Sequence, residues 1–171
     1  MNSTERRELI IQRLNESVQP VSASALAKEL AVSRQIVVGD VALLRSAGKE
    51  ILATPRGYVL DRGTMGMLKS IAVCHGADEV EAELNAIVDN GCTVLDVIVE
   101  HPVYGEITGP LRLSNRYEVK QFLEKSKDAA PLSSLTHGIH MHTIAVPYEE
   151  AFERVLQDLR GLGVLYEEKQ S

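Results

Sequence analysis

Tryptophan is absent from this 171-residue chain, and only two phenylalanines and five tyrosines provide rings in its place. An interior built on large aromatics is therefore excluded, and any core must be aliphatic. Cysteine is nearly absent too. Cys74 and Cys92 lack CxxC spacing, which excludes a disulfide scaffold or a thiolate zinc ribbon. Both sit in apolar, strand-like runs and read as buried, inert thiols. No apolar run approaches the ~20 residues a membrane span needs. The opening MNSTERRELI carries no signal-peptide apolar segment, so a soluble cytoplasmic protein is expected. There is no glycine-rich phosphate loop, no defensible Ser/His/Asp order and no internal repeat. What is present is an ordinary globular composition, 44% hydrophobic and 25% charged, with length enough for one or two domains with real cores.

The net charge of −6 argues superficially against a nucleic-acid partner. Its distribution argues the other way. Residues 1–60 hold eight basic and six acidic side chains, whereas the remainder holds ten and eighteen. That asymmetry suggests a DNA-facing module joined to an acidic module with a different task.

In the first sixty residues the periodicity predicts a helix from Thr4 to Ser17, opened by an Asn2/Glu5 capping box, with Leu9, Ile10, Leu14 and the following Val18 inward. Pro20 interrupts, and Ser22 caps a short helix from Ala23 to Leu30. Ala31-Val32-Ser33 is a tight turn, with Ser33 the N-cap of a third helix from Arg34 to Ala47, stopped by Gly48. Gly39 inside that helix has no sequence-level rationale. Ile51-Leu52-Ala53 and Tyr58-Val59-Leu60 flank a Thr54-Pro55-Arg56-Gly57 turn and read as a hairpin. Helix, helix-turn-helix and hairpin in that order make a winged helix-turn-helix. Its candidate DNA contacts are Ser33, Arg34, Gln35 and Arg45 on the third helix, and Arg56 at the hairpin tip. The stretch SALAKELAVSRQIVVGDVALLRSAGKEI resembles the helix-turn-helix of biotin-repressor-like and DeoR-type bacterial regulators.

Residues 62–171 form the second predicted domain. Strands are expected at 68–75, 92–100, 106–113 and 139–146, helices at 77–90, 115–128 and 148–161, and a last short strand near 164–166. The order suggests an open-faced α+β sandwich, one antiparallel sheet backed by helices. An open sheet face is also a common place to dimerise. His140-Met141-His142 lies in a strand, where residues i and i+2 share a face, so both imidazoles project together. His75 ends another strand and Glu83 follows on a helix, at the edge of the stripe Val80, Leu84, Ile87 and Val88. Three imidazoles and a carboxylate suit zinc, nickel, iron or manganese. Glu79, one turn before Glu83, is the rival carboxylate. His101 sits at a strand end beside Tyr104 and reads either as a hydrogen-bonded turn histidine or as part of a ligand pocket. His137 reads as solvent-exposed, and Arg112 is the cation to watch for an anionic ligand.

HGADEVEAEL, VIVEHPVYGEITGPL and PLSSLTHGIHMHTI, following the winged helix, resemble the 3H-domain transcription regulators over essentially the full length. The resemblance implies an HPr-like fold for the second domain, a bound divalent transition metal and a homodimer. It also implies a repressor of NAD biosynthesis and niacin uptake or salvage genes with nicotinic acid as co-repressor. Carried over residue by residue, it makes His75, Glu83, His140 and His142 the metal ligands; on the pocket reading of His101, that residue and Tyr104 would border the niacin site. A regulator in which the metal itself is the signal is the alternative. An enzyme is not expected, because no general base stands apart from the candidate ligands.

Overall fold

Asn2 accepts the N–H of Glu5, and the Glu5 carboxylate accepts the N–H of Asn2, a closed capping box that starts α1 (Ser3–Glu16). Ser22 and Ser33 start α2 (Ala23–Leu30) and α3 (Arg34–Ser46) in the same way, each hydroxyl accepting a first-turn N–H. The structure, a computed structural model, describes residues 1–63 and 66–167, leaving aside the side chains of 133 and 134. The chain divides into two units, Met1–Gly63 and Thr64–Ser171. Arg62, placed with the second domain by sequence, belongs to the first, since its guanidinium donates to the carbonyls of Leu14 and Asn15 at 3.3 and 2.6 Å.

In the first unit Ile10, Leu14, Leu26, Val37, Val41, Leu44 and Ile51 form an aliphatic core. Two residues expected inside are outside: Leu9 is 43% and Val18 91% exposed. The helix stops at Glu16, so Val18 falls in the turn beyond it and loses the helical register that would have turned it inward. Asp40 is buried on α3 and is bonded by Arg6 of α1 at 2.5 and 3.1 Å, an ion pair that joins the first and third helices. Strands β1 (Ile51–Thr54) and β2 (Gly57–Leu60) make the wing. Val21 adds a bridge to it through two hydrogen bonds with Tyr58, at 2.9 and 2.8 Å. Gly57 has φ 132°, and a Cβ there would stand 2.5 Å from the Val21 carbonyl carbon, so no other residue fits.

Gly39 is a different case. It is exposed within α3, and a Cβ there would meet nothing within 4 Å. The fold does not require it. Gly39→Ala should therefore raise stability by about 1 kcal/mol, the helix-propensity difference. Urea titration of the full chain checks this, and a destabilised variant would show that the α3 backbone is constrained there.

The second unit is one antiparallel sheet in the order β3-β6-β4-β5, made of β3 (Met67–Cys74), β4 (Thr93–His101), β5 (Gly105–Leu113) and β6 (Ile139–Val146). Helices α4 (Val80–Asp89), α5 (Arg116–Lys125) and α6 (Glu149–Leu162) pack on one face. Ile71, Val73, Val94, Leu113, Ile144 and Val146 from the sheet meet Leu84, Ile87, Val119, Val155 and Leu159 from the helices. The other face carries exposed Leu68, Ile139 and Met141, so the sandwich is open-faced. The expected last strand reduces to a bridge, Val73 with Leu165, beside bonds from Cys74 N–H to Val164 and from Tyr166 N–H to Ala72. The connection before β6 contains a 3-10 turn, Leu132–Thr136, that no sequence pattern announced.

Two irregularities shape the sheet. Between the pairs Val94–Ile144 and Ile98–Met141, β4 holds one residue more than β6. A bulge of this kind reverses which residues face which side. Val94 faces the helices with Ile144, but beyond the bulge Ile98 pairs with Met141 on the uncovered face. Val97, Val99 and His101 thus turn to the side of His140 and His142. The second irregularity is in β5, where Arg112 takes φ 51° opposite the same stretch of β4.

Candidate metal centre

His140 and His142 project from β6 on the helix-covered face, because Ile144 and Val146 of the same parity lie in the core. His75 follows the last residue of β3 and packs edge-on to His140, ring centroids 4.7 Å apart, while His140 and His142 stand 4.8 Å apart. Glu83, one turn into α4, reaches into their midst. It contacts His75 Nε2 through Oε2, and its Oε1 lies 3.3 Å from His140 Nε2 and 2.6 Å from His142 Nε2. The ligand atoms of His75, Glu83 and His140 all lie within 4.8 Å of one another. Burial is nearly complete: Glu83 is 0%, His142 3%, His140 4% and His75 7% exposed. Glu83 is thus not at the edge of the apolar stripe, as the helical wheel suggests, but fully inside it.

The outward nitrogens explain the inward ones. His75 Nδ1 donates to the Gly76 carbonyl at 2.8 Å, His140 Nδ1 to Gly138 at 2.9 Å and His142 Nδ1 to Asp96 at 2.7 Å. A carbonyl can only accept, so each Nδ1 carries a proton, and Nε2, the nitrogen turned toward Glu83, is the one free to offer a lone pair. Lone pairs facing a carboxylate require a cation between them or a proton on each ring. Burial opposes charge on His75 and on His142, yet the bond to Glu83 in the first case and its adjacent charge in the second prevail, and both imidazole pKa values are raised. Burial pushes the Glu83 carboxyl up, but the nearby His142 charge and the bonds from His140 and His75 hold it well below its ordinary range. His142 Nε2 is the atom least provided for: it is buried and, despite its nearness to Oε1, makes no hydrogen bond. Three imidazoles with Nδ1 held by main-chain carbonyls and one carboxylate are the donor set of a borderline divalent cation, so the residues fit such an ion.

The 3H domain family matches residues 68–168, and an HTH domain family matches residues 6–59. A probable transcription repressor NiaR of Thermotoga maritima is 48% identical over 166 residues, covering 96% of this chain and 95% of the relative. The transcription repressor NadR of Bacillus subtilis is 41% identical over 166 residues, covering 94% and 92%. The chain belongs to the 3H-domain transcription repressors. A regulator and not an enzyme is what this membership supports.

Within this 3H domain the other expected ligand-binding residues fall in two places. His101 and Tyr104 meet at the β4–β5 turn, ring centroids 5.0 Å apart, with His101 Nδ1 accepting the N–H groups of Val103 and Tyr104 at 3.1 and 3.3 Å. His101 is therefore a hydrogen-bonded turn histidine, on the side of the sheet that carries His140 and His142. Tyr104 is 75% exposed. Arg112 lies seven residues further along β5, roughly 20 Å from that turn at strand rise, so it does not share a site with them. Glu79, the rival carboxylate, sits in the 3-10 turn Ala77–Glu79 before α4 and is exposed. His137 is exposed, as expected, in a left-handed conformation.

Two contributors escaped the sequence reading. Gly138 stands so close to His75 that a Cβ would lie 2.5 Å from its carbonyl oxygen, and its own carbonyl orients His140. A glycine directly before an HxH strand was the available signal. Asp96 had none, since only the bulge brings it to His142. In the HTH unit Arg34, Gln35 and Arg45 are exposed on α3. Ser33 Oγ is engaged as the cap, accepting from Ile36 at 3.2 Å, and Arg56 donates to Gln19 Oε1 at 3.1 Å.

Proposed function

We propose that this protein is a DNA-binding repressor of NAD-related genes that responds to nicotinic acid, works as a homodimer in the cytoplasm, and holds a divalent transition metal through His75, Glu83, His140 and His142. The observation that carries the metal assignment is the approach of three Nε2 atoms to one fully buried carboxylate, of which His75, Glu83 and His140 lie close enough together to share an ion. A cation there supplies the positive charge that Glu83 lacks in a dry interior. The relatives' names, NiaR and NadR transcription repressors, support the genes and the effector class. Among the described residues no helix is long and apolar enough to cross a membrane.

A full set of four protein ligands, with His142 completing the group, would favour a structural metal over an open, exchangeable position. Nicotinate is then the signal. Its pocket is expected on the same face of the sheet, toward His101, and the register of β4 beyond the bulge supports that reading. Coupling requires nicotinate to bind the DNA-competent form more tightly than the other form. Operator affinity of the full chain should rise with saturating nicotinate, and chelation should abolish the rise. No response in metal-loaded protein, combined with a metal-dependent change in affinity, would favour the metal-sensing alternative.

A further inference from the structure

Asp96 sits at the bulge in β4, where both flanking ladders change register. Its carbonyl accepts the Nδ1 proton of His142 at 2.7 Å, and its carboxylate Oδ1 accepts the main-chain N–H of Thr143 at 2.8 Å. Both bonds run from one residue of β4 to two consecutive residues of β6. The side-chain bond holds the strand where the regular ladder is interrupted, and that hold keeps the carbonyl turned toward the imidazole. The other two histidines differ: their Nδ1 partners, Gly76 and Gly138, lie within two residues of the rings they orient. His142 alone depends on a neighbouring strand.

We infer that Asp96 is a positioning residue for the metal site, its carboxylate pinning the bulge so that its carbonyl fixes the tautomer and angle of His142. The inference rests on the metal site proposed above. It follows from the chemistry of ligation: an imidazole binds a cation through an unprotonated nitrogen, and its other nitrogen must be held by an acceptor. The same bulge turns Val99 and His101 to the metal-bearing face, so the hold on β4 also supports the effector side of the sheet.

The test uses full-length protein with Co2+ as the probe, titrated against a chelator of known affinity. Asp96→Ala should bind Co2+ about 10–100-fold more weakly than wild type, the usual cost of removing an orienting partner. Asp96→Asn should recover most of the affinity, because its carboxamide oxygen still accepts the Thr143 N–H. Exchange of the Thr143 amide should accelerate in the alanine variant only. A purely structural role would lower the melting temperature of metal-free Asp96→Ala without changing the d–d spectrum of the Co2+ form. Equal affinity of wild type and Asp96→Ala overturns the role of Asp96 while leaving the metal site standing. Wild type that takes up no Co2+ overturns the site and this role together. Where the alanine variant does not fold, the wild type decides: in the Zn2+ form, long-range proton–nitrogen spectra should show His142 protonated at Nδ1 and metal-bound at Nε2, and the opposite assignment overturns the inference.

Discussion

At the proposed metal site Glu83→Gln should bind a divalent cation as poorly as His140→Ala or His142→Ala, with affinity down at least about 100-fold and the thermal stabilisation by added metal gone. Ligand softness alone ranks a carboxylate below an imidazole for these metals. Burial reverses the ranking. Glu83 is 0% exposed and touches all three histidines, so it is the anion of the cluster. Without it a doubly charged ion would rest on neutral rings in a dry interior, where uncompensated charge is most costly. Elemental analysis of wild type and variants from metal-replete medium measures this, and Glu83→Gln retaining a full complement of metal would remove Glu83 from the ligand set.

The pH dependence has a definite sign. In metal-free protein the raised His75 and His142 pKa values contribute stability below their unfolded value, lost as pH rises through the folded one. The depressed Glu83 pKa contributes above its unfolded value and is lost as pH falls through the folded one. The metal-free cluster is therefore at its best in mildly acidic solution. A cation displaces the histidine protons, so the gain in melting temperature on adding metal should grow between about pH 6 and pH 8. At a free metal concentration of 100 Kd the gain corresponds to about 2.7 kcal/mol.

Arg34→Ala and Gln35→Ala should each cost roughly 1–3 kcal/mol on the operator and little on random DNA, because side chains in the first turn of a recognition helix meet base edges. Arg56→Ala should weaken both kinds of DNA about equally, and flatten the dependence on salt, as a phosphate contact does. The geometry supports the split: Arg34 and Gln35 are exposed just after the Ser33 cap, whereas Arg56 lies in the wing turn. Fluorescence anisotropy with operator and scrambled duplexes separates the two. Equal losses for all three variants on both duplexes would exclude α3 as the reader.

Much of this was legible because local rules act on neighbouring residues. The three caps at Asn2, Ser22 and Ser33, the wing, and the alternation of His140, Ile144 and Val146 each depend on spacing along one segment, and the chain states spacing directly. The histidine pair, His75 and Glu83 could be named as a set from residue type and resemblance. Their arrangement could not. Whether the HxH faced water or core depended on which sheet face the helices covered, and the depth of Glu83 on how α4 docks against the sheet. Val18 was misplaced for a related reason: it lies past the end of α1, where helical register no longer decides which way a side chain turns. The sequence by itself determined the helices and the longer strands, their order and the chemical type of the candidate ligands. Only the tertiary structure decided that one extra residue in β4 brings Asp96 to His142 and turns His101 toward the face of the histidine cluster, because register is a relation between strands that no single strand encodes.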